Sequence, residues 1–238
     1  MKRMGLLAKK LGMTQLFNEH GRLISVTVMQ AGPCTVTQVK EPGKDGYRAI
    51  QVGFEPVKPD RLTKPLQGHL KKSGGAFRHL REFWIGEGEQ FEVGQQMTVE
   101  LFKDGEIVDV TGRSIGKGFQ GGVKRWHWKG SPMTHGHMGH RKPGSIGSTT
   151  TPGRVIKGHH LPGHMGNVQV TVQNLRIMKV DPAASRLIIE GAVPGPENRL
   201  LVVRKSVKRS GVVTAAKGLQ EVAVEEEEEK GKKPAKKK

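Results

Sequence analysis

Three glycines, Gly116, Gly118 and Gly121, stand in the run SIGKGFQGG with the G-x-G-x-x-G spacing of a dinucleotide-binding loop. In such a loop the glycines let the backbone approach a pyrophosphate, and the helix that follows presents its N-terminus to the phosphates. A carboxylate about 20 residues further on must also bind the ribose. Here the next carboxylate is Asp181, and the residues after Gly121 have no apolar stripe that predicts a helix. The glycines therefore predict a close approach to phosphates without a nucleotide cofactor.

The charge of the chain points to the same kind of ligand. Forty Lys and Arg face 22 Asp and Glu, a formal net charge of +18. Such an excess attracts polyanions, and nucleic acid is the first expectation. We expect no membrane partner, because no apolar run approaches the roughly 18–20 residues of a span. The lysines in GLLAKKLGM also argue against a signal peptide. The single cysteine, Cys34, excludes an intrachain disulfide and fits an intracellular location.

Residues 112–166 have a composition unlike the rest of the chain. Among these 55 residues are 14 glycines, nine Lys or Arg and seven His, with no Asp or Glu. The carboxylate-free run extends over 71 residues, from Val110 to Val180. A long irregular segment argues against a compact domain unless something outside the protein orders it. RNA supplies anions at high density, so we predict an irregular basic extension, a finger, that folds on RNA.

Several side chains of this finger are candidates for contact with RNA. The run KRWHWK at 124–129 alternates cations with two indoles, which a strand would place on one face. Two interpretations of the indoles stay open: they fill the core of the folded body, or they stack on unpaired bases. The predicted rRNA-binding residues are Arg113, Lys117, Lys124, Arg125, Trp126, His127, Trp128, Lys129, His135, His137, His140, Arg141, Lys142, Arg154, Lys157, His159, His160 and His164.

Clusters of histidine are also a common source of metal ligands. No Cys, Asp or Glu accompanies them, the glycine-rich surroundings give no rigid geometry, and the cationic segment repels a divalent ion. We therefore predict no metal site and no cofactor, and RNA contacts instead. A segment without acids also offers no Ser–His–Asp set, and nothing elsewhere stands out as an active site. The chain is not expected to be an enzyme.

Alternating apolar residues predict that the finger interrupts a mainly β body. Strand patterns occur within 21–54, at 97–102 and 106–110, and again at 168–180, 186–193 and 199–207. Residues 62–83 look mixed, with one short helix around PLQGHLKK. The predicted domains are a discontinuous β-barrel body at 1–111 and 167–210, with 62–83 a partly helical insert, the finger at 112–166, and a low-complexity, charged, disordered tail at 211–238 whose role stays open.

The residues at 102–125 resemble the signature of the large-subunit ribosomal protein L3 family of the bacterial or organellar type. The matching positions are Phe102, Asp109, Gly112, Ser114, Gly116, Lys117, Gly118, Gly121 and Arg125. Further matching segments, in order, are GLLAKKLGMTQLF, AGPCTVTQVK, GHRKPGSIG, TPGRVIKG, GHMGNVQVTVQNL and GAVPGPENRLLVVR. The resemblance covers residues 4–208. Composition alone leaves another nucleic-acid-binding architectural protein as the alternative.

The resemblance implies a small β-barrel of the kind shared by translation proteins and a finger that penetrates the large-subunit rRNA toward the peptidyl-transferase centre. It implies early binding near the 3′ end of that rRNA, which nucleates subunit assembly. The implied neighbours are ribosomal proteins fourteen and nineteen of the large subunit, with no homo-oligomer. The implied location is the cytoplasmic ribosome, with an organellar origin left open.

The segment GSIGSTTTPG corresponds to the tip of the family's finger. The predicted tip residues near the peptidyl-transferase centre are Ser145, Ile146, Gly147, Ser148, Thr149, Thr150 and Thr151. Many bacterial members have a glutamine, which can be N-methylated, where this chain has Ser148. A serine has no side-chain amide, so that modification is not transferred to this chain.

Overall fold

Strands account for most of the regular structure in a computed structural model that describes residues 4–17, 21–86 and 88–208. The predicted tail at 211–238 lies outside the described residues. The strands are β1 (Gly5–Phe17), β2 (Leu23–Ala31), β3 (Cys34–Lys40), β4 (Ala49–Pro56), β5 (Phe77–Trp84), β6 (Gln96–Met97), β7 (Ile107–Arg113), β8 (Gly118–Gln120), β9 (Gly163–Met165), β10 (Gln169–Asp181), β11 (Arg186–Glu190) and β12 (Leu200–Lys205). The helices are α1 (Pro42–Asp45), α2 (Lys64–Leu70) and α3 (Gly122–Trp126), with 3-10 turns at Pro59–Arg61, Lys71–Ser73 and Val99–Leu101.

Six of these strands close a barrel in the order β1-β12-β7-β10-β11-β2. The chain enters the barrel with β1 and β2, returns to it with β7 and completes it after residue 168, and β1 pairs antiparallel with both β2 and β12. Burial alternates along the returning strands, as at Leu187 and Ile189 of β11 and at Leu201 and Val203 of β12. This is the period of a strand with one face toward a core. The prediction of a mainly β fold is confirmed.

A second sheet, in the order β5-β4-β3-β6, shares its core with the barrel. Val36, Ile50 and Phe83 from this sheet belong to the same buried cluster as Leu6 and Ile177 from the barrel. Each of these five side chains is fully buried. Burial of one such side chain contributes about 1.5–3 kcal/mol, so this shared core is the main stabilising feature of both sheets.

Two signature positions at the end of β7 have structural roles. The buried carboxylate of Asp109 accepts backbone N–H bonds from Asn174 at 2.9 Å and from Val207 at 3.3 Å. A Cβ on Gly112 would lie 2.6 Å from a methyl carbon of Leu201, closer than such contacts allow. Asp109 therefore fastens β10 and the end of β12 to β7, and Gly112 permits close packing inside the barrel.

Two of the predicted elements need correction. The mixed region 62–83 contains the expected short helix, α2, but also the strand β5, in which only Phe77 and Phe83 are buried. The charged side chains of β5 interrupt the alternation of apolar and polar residues that predicts a strand. The run at 97–102 was predicted as a strand, but pairing with β3 ends at Met97 and a 3-10 turn follows at Val99–Leu101.

The longest strand that the alternation of apolar and polar residues does not predict is β1. Its residue Lys10 is buried, and the ammonium donates to the carbonyl oxygens of Val193 at 3.3 Å and Gly195 at 3.1 Å. A buried lysine satisfied by backbone carbonyls interrupts the apolar pattern that predicts a strand.

The chain divides into two compact units. One consists of Met1–Gly112 with Val170–Lys238, and its described residues are called the body below. The other is Arg113–Gln169, called the basic segment. In the part of the chain that the structure describes, no helix is long and apolar enough to cross a membrane.

Candidate nucleic-acid interface

The basic segment begins and ends as a short antiparallel ladder. Strands β8 and β9 pair with Phe119 opposite His164. Outside this pair, the Ser114 amide donates to the Val168 carbonyl oxygen at 2.9 Å and the Lys117 amide donates to the Met165 carbonyl oxygen at 2.9 Å. The outgoing and returning chains are thus held side by side at both ends of the segment. The segment that the sequence predicts as irregular thus has a short two-stranded ladder at its root.

The glycines of the G-x-G-x-x-G spacing leave the backbone open. Gly118 has φ +68, and a Cβ on Gly118 or on Gly121 would meet no atom within 4 Å. Residues 116–119 and Gly121 are exposed. This geometry suits the close approach of a phosphate chain, as the spacing predicts.

A short helix follows these glycines, contrary to the sequence prediction. Helix α3 has five residues and ends because His127 adopts a left-handed conformation at φ 60, from which its amide donates to the Gly122 carbonyl oxygen. The helix-forming signal is weak because the first residue is a glycine and the last turn is stopped by a histidine. One turn of helix does not restore the β-α unit that a dinucleotide-binding fold needs.

The two indoles of KRWHWK pack within the basic segment and not in the core of the body. Trp126 stacks on the His160 ring, with centroids 4.0 Å apart and an interplanar angle of 5°. Its Nε1 donates to the Leu161 carbonyl oxygen at 2.9 Å. The Trp128 ring lies so close to the Gly122 backbone that a Cβ there would overlap it. Neither indole belongs to the buried core, so the core interpretation is wrong.

The cations of the segment are open to solvent and have no acidic partners among the described residues. Arg125 is half-buried; its Nη1 donates to the Leu161 carbonyl oxygen at 2.8 Å and its guanidinium lies 4.9 Å from the Trp126 ring centroid. The other predicted Lys and Arg are exposed: Arg113, Lys117, Lys124, Lys129, Arg141, Lys142, Arg154 and Lys157. The ion pairs of the described chain all lie in the body, on Glu55, Glu82 and Glu106. The segment therefore presents unneutralised positive charge.

The predicted histidines are exposed, and three have a backbone role that the sequence did not reveal. His127, His135 and His140 have φ of 60, 59 and 40. Histidine adopts this region more readily than most residues, as do Asn and Asp. A segment without Asp or Glu thus uses histidine at turns. No group of three or more His, Cys, Asp or Glu could hold a metal ion in the part of the chain described here.

The predicted tip residues form an exposed turn. All seven, from Ser145 to Thr151, are exposed, and the Ser145 hydroxyl donates to the Gly147 carbonyl oxygen at 2.9 Å. A cavity of about 350 Å³ lies where the two ends of this loop come together, between Pro143 to Ile146 on one side and Gly158 to His160 on the other. Trp128 completes its lining.

The basic segment also exposes large apolar side chains. The ten with more than a third of their surface exposed are Ile115, Phe119, Trp126, Met133, Met138, Ile146, Val155, Ile156, Leu161 and Val168. Phe119 is 77% exposed and Met138 is 89% exposed.

Known proteins are similar to this chain in sequence. A family model for ribosomal protein L3 matches residues 85–187. The large ribosomal subunit protein uL3 of Geobacter sulfurreducens is 51% identical over 205 residues, which is 86% of this chain and 98% of that relative. The protein of the same name from Gloeobacter violaceus is 52% identical over 211 residues, 87% of this chain and 98% of the relative. The chain belongs to the ribosomal protein L3 family.

A third relative in the L3 family, from Synechococcus sp. (strain JA-3-3Ab), is 49% identical over 202 residues, 84% of this chain and 94% of the relative. The resemblance inferred from the signature is thereby confirmed. The sequence did not reveal two positions that hold the aromatic side chains, Gly122 under Trp128 and the Leu161 carbonyl under Trp126. A glycine six residues before a tryptophan gives too weak a signal to predict that contact.

Proposed function

We propose that this chain is a structural constituent of the large ribosomal subunit and that the basic segment is its principal rRNA-binding surface. The observation that carries the proposal is the unneutralised charge: nine Lys and Arg within residues 112–166, with no acidic residue from Val110 to Val180. Each cation that contacts a phosphate releases counterions, which supplies most of the binding free energy of such interfaces.

The proposed interface comprises the cations, indoles and histidines predicted from the sequence. Phosphate contacts come from the eight exposed Lys and Arg, while Arg125 fixes the indole beside it through its bond to Leu161. The open backbone at Gly118 and Gly121 lets a phosphate chain approach the root of the segment. Phosphate contacts of this kind set register and orientation on the RNA.

We extend the proposal to the place of the chain in the subunit. It binds early, near the 3′ end of the large rRNA, and nucleates assembly, with ribosomal proteins fourteen and nineteen as neighbours in the cytoplasmic ribosome. The segment extends toward the peptidyl-transferase centre with Ser145–Thr151 as its tip. No residue of the chain is assigned a catalytic role.

Gradient sedimentation tests the proposed function. A tagged chain expressed in a bacterium is expected to co-sediment with the large ribosomal subunit. Substitution of Arg113, Lys117 and Lys124 by Gln should shift it toward the top of the gradient. The matched control changes three exposed lysines of the body, Lys44, Lys58 and Lys72, to Gln and should leave it with the subunit. A native chain that stays at the top of the gradient would refute the proposal.

A division of labour within the segment follows from the distribution of charge. We assign anchoring to Arg113, Lys117, Arg125, Arg154 and Lys157, and tuning of the peptidyl-transferase centre to the small polar tip. Changing Ser148, Thr149 and Thr150 to Ala should leave the yield of large subunits normal and alter peptidyl transfer or sensitivity to drugs that bind there. A defect confined to assembly would contradict this division.

A further inference from the structure

The cavity between the two ends of the tip loop has the features of a site for one planar ring. Its volume, about 350 Å³, is at the small end of the roughly 300–1,000 Å³ typical of ligand pockets. The lining combines an indole (Trp128), two imidazoles (His159 and His160), the apolar side chains of Pro143 and Ile146, and Ser145. No carboxylate lines it, so nothing in the lining repels an anion.

Two aromatic rings of the lining, His160 and Trp128, have packing partners within the chain. His160 is stacked at 4.0 Å on Trp126, and Trp126 is fixed in turn by its bond to the Leu161 carbonyl oxygen, which also accepts from Arg125. The Trp128 ring packs against the Gly122 backbone. A site whose rings are already ordered loses less side-chain entropy on binding.

Three lysines are sequence neighbours of residues that line the cavity. Lys129, Lys142 and Lys157 are each adjacent in sequence to a lining residue, Trp128, Pro143 and Gly158 respectively. All three lysines are exposed. A planar ring attached to phosphates on either side matches this combination of a small aromatic cavity and exposed lysines next to its lining residues in sequence.

We propose that this cavity binds a single unpaired nucleobase of RNA, with the flanking phosphates held by Lys129, Lys142 and Lys157. The inference rests on the proposed rRNA-binding function and adds a base-stacking site to it. Base–aromatic stacking tolerates any base, so the site recognises an unstacked nucleotide and not a particular sequence. Trp128 and His160 are the stacking residues, whereas Gly122 and Trp126 position them.

The test compares two RNA hexamers that differ in one base. One carries 2-aminopurine at its third position and base-free ribose at the other five, and the second is base-free throughout. The native full chain should bind the one-base hexamer about 5- to 150-fold more tightly, the range that stacking of one base supplies. The 2-aminopurine fluorescence should be quenched on binding. Equal affinity for the two hexamers would overturn the proposal.

Variants distinguish loss of base stacking in the cavity from an unspecific loss of RNA binding. Trp128→Ala should remove the difference between the two hexamers, and Trp128→Phe should restore much of it, because a ring returns. Gly122→Ala should also remove the difference, since the new methyl overlaps the indole and displaces it. Trp84→Phe, in the body, should change nothing. A difference that survives in Trp128→Ala would assign the base to another site and overturn the proposal.

The base-free hexamer keeps the two proposals distinguishable. Its binding measures phosphate contact alone, so salt-sensitive binding of this hexamer supports the proposed function even where the base adds nothing. If neither hexamer binds at low salt, the proposed function fails and the base site fails with it.

Discussion

The body and the basic segment are two units of one chain that obtain their order in different ways. The body buries a continuous apolar cluster and places its carboxylates within ion-pair distance of its own cations. Among the described residues of the basic segment, Gly122 is the only one that is buried. Its large apolar side chains are exposed to solvent, and its cations have no acidic partners. A unit with its own core is stabilised mainly by apolar burial, whereas the basic segment is held by local contacts such as the stack of Trp126 on His160.

The largest difference should appear when equivalent apolar side chains are truncated in the two units. Ile177 in β10 is fully buried and Ile156 in the basic segment is 64% exposed. Ile177→Ala is expected to lower the free energy of unfolding by about 2–5 kcal/mol, because it leaves a cavity in the core. Ile156→Ala should change it by less than about 0.5 kcal/mol. Urea unfolding followed by circular dichroism measures both, and equal losses would break the comparison.

A smaller effect is expected from the left-handed histidines of the basic segment. His135 has φ 59, which a β-branched residue adopts at a cost of about 1–2 kcal/mol and glycine adopts freely. Both His135→Gly and His135→Val remove the imidazole. The valine variant should therefore bind an rRNA fragment about 5- to 30-fold more weakly than the glycine variant, as filter binding can measure. Equal affinities of the two variants would mean that the backbone conformation is unimportant there.

The smallest effect is expected at the buried thiol of Cys34 in the core of the body, which should not react with an alkylating reagent. Burial raises the pKa of the Cys34 thiol to about 11, and the thiol donates a hydrogen bond to the Leu7 carbonyl oxygen at 3.6 Å. At pH 8 only about one thiol in a thousand is ionised, so iodoacetamide should leave Cys34 unmodified in the native chain. Mass spectrometry should show a single label in a Ser148→Cys chain, at the exposed tip, and two in urea. Rapid labelling of native Cys34 would show that the body opens readily.

The sequence predicts the body better than it predicts the basic segment, for physical reasons. Strands such as β11 and β12 follow from period-two burial, which local residues encode. Strand β1 could not be predicted from the alternation of apolar residues, because burial of Lys10 depends on the carbonyl oxygens of Val193 and Gly195, which are distant in sequence.

In the basic segment, the composition predicts RNA as the ligand. The composition does not predict which side chains the fold brings together. The stack of Trp126 on His160 and the cavity beside Trp128 join residues more than 30 positions apart. Helix α3 is stopped by a histidine in a conformation that usually indicates glycine or asparagine. These features depend on tertiary contacts, which periodicity and spacing do not report.

The salt dependence of rRNA binding tests most directly the claim that the basic segment binds phosphates. For the native chain, the logarithm of the association constant for a large-subunit rRNA fragment should fall linearly with the logarithm of salt concentration, by about 0.7 per phosphate contact. Changing Arg113, Lys117 and Lys124 to Gln should reduce that slope by about 2, whereas changing Lys44, Lys58 and Lys72 should leave it unchanged. Equal slopes for the native chain and both variants would contradict the account.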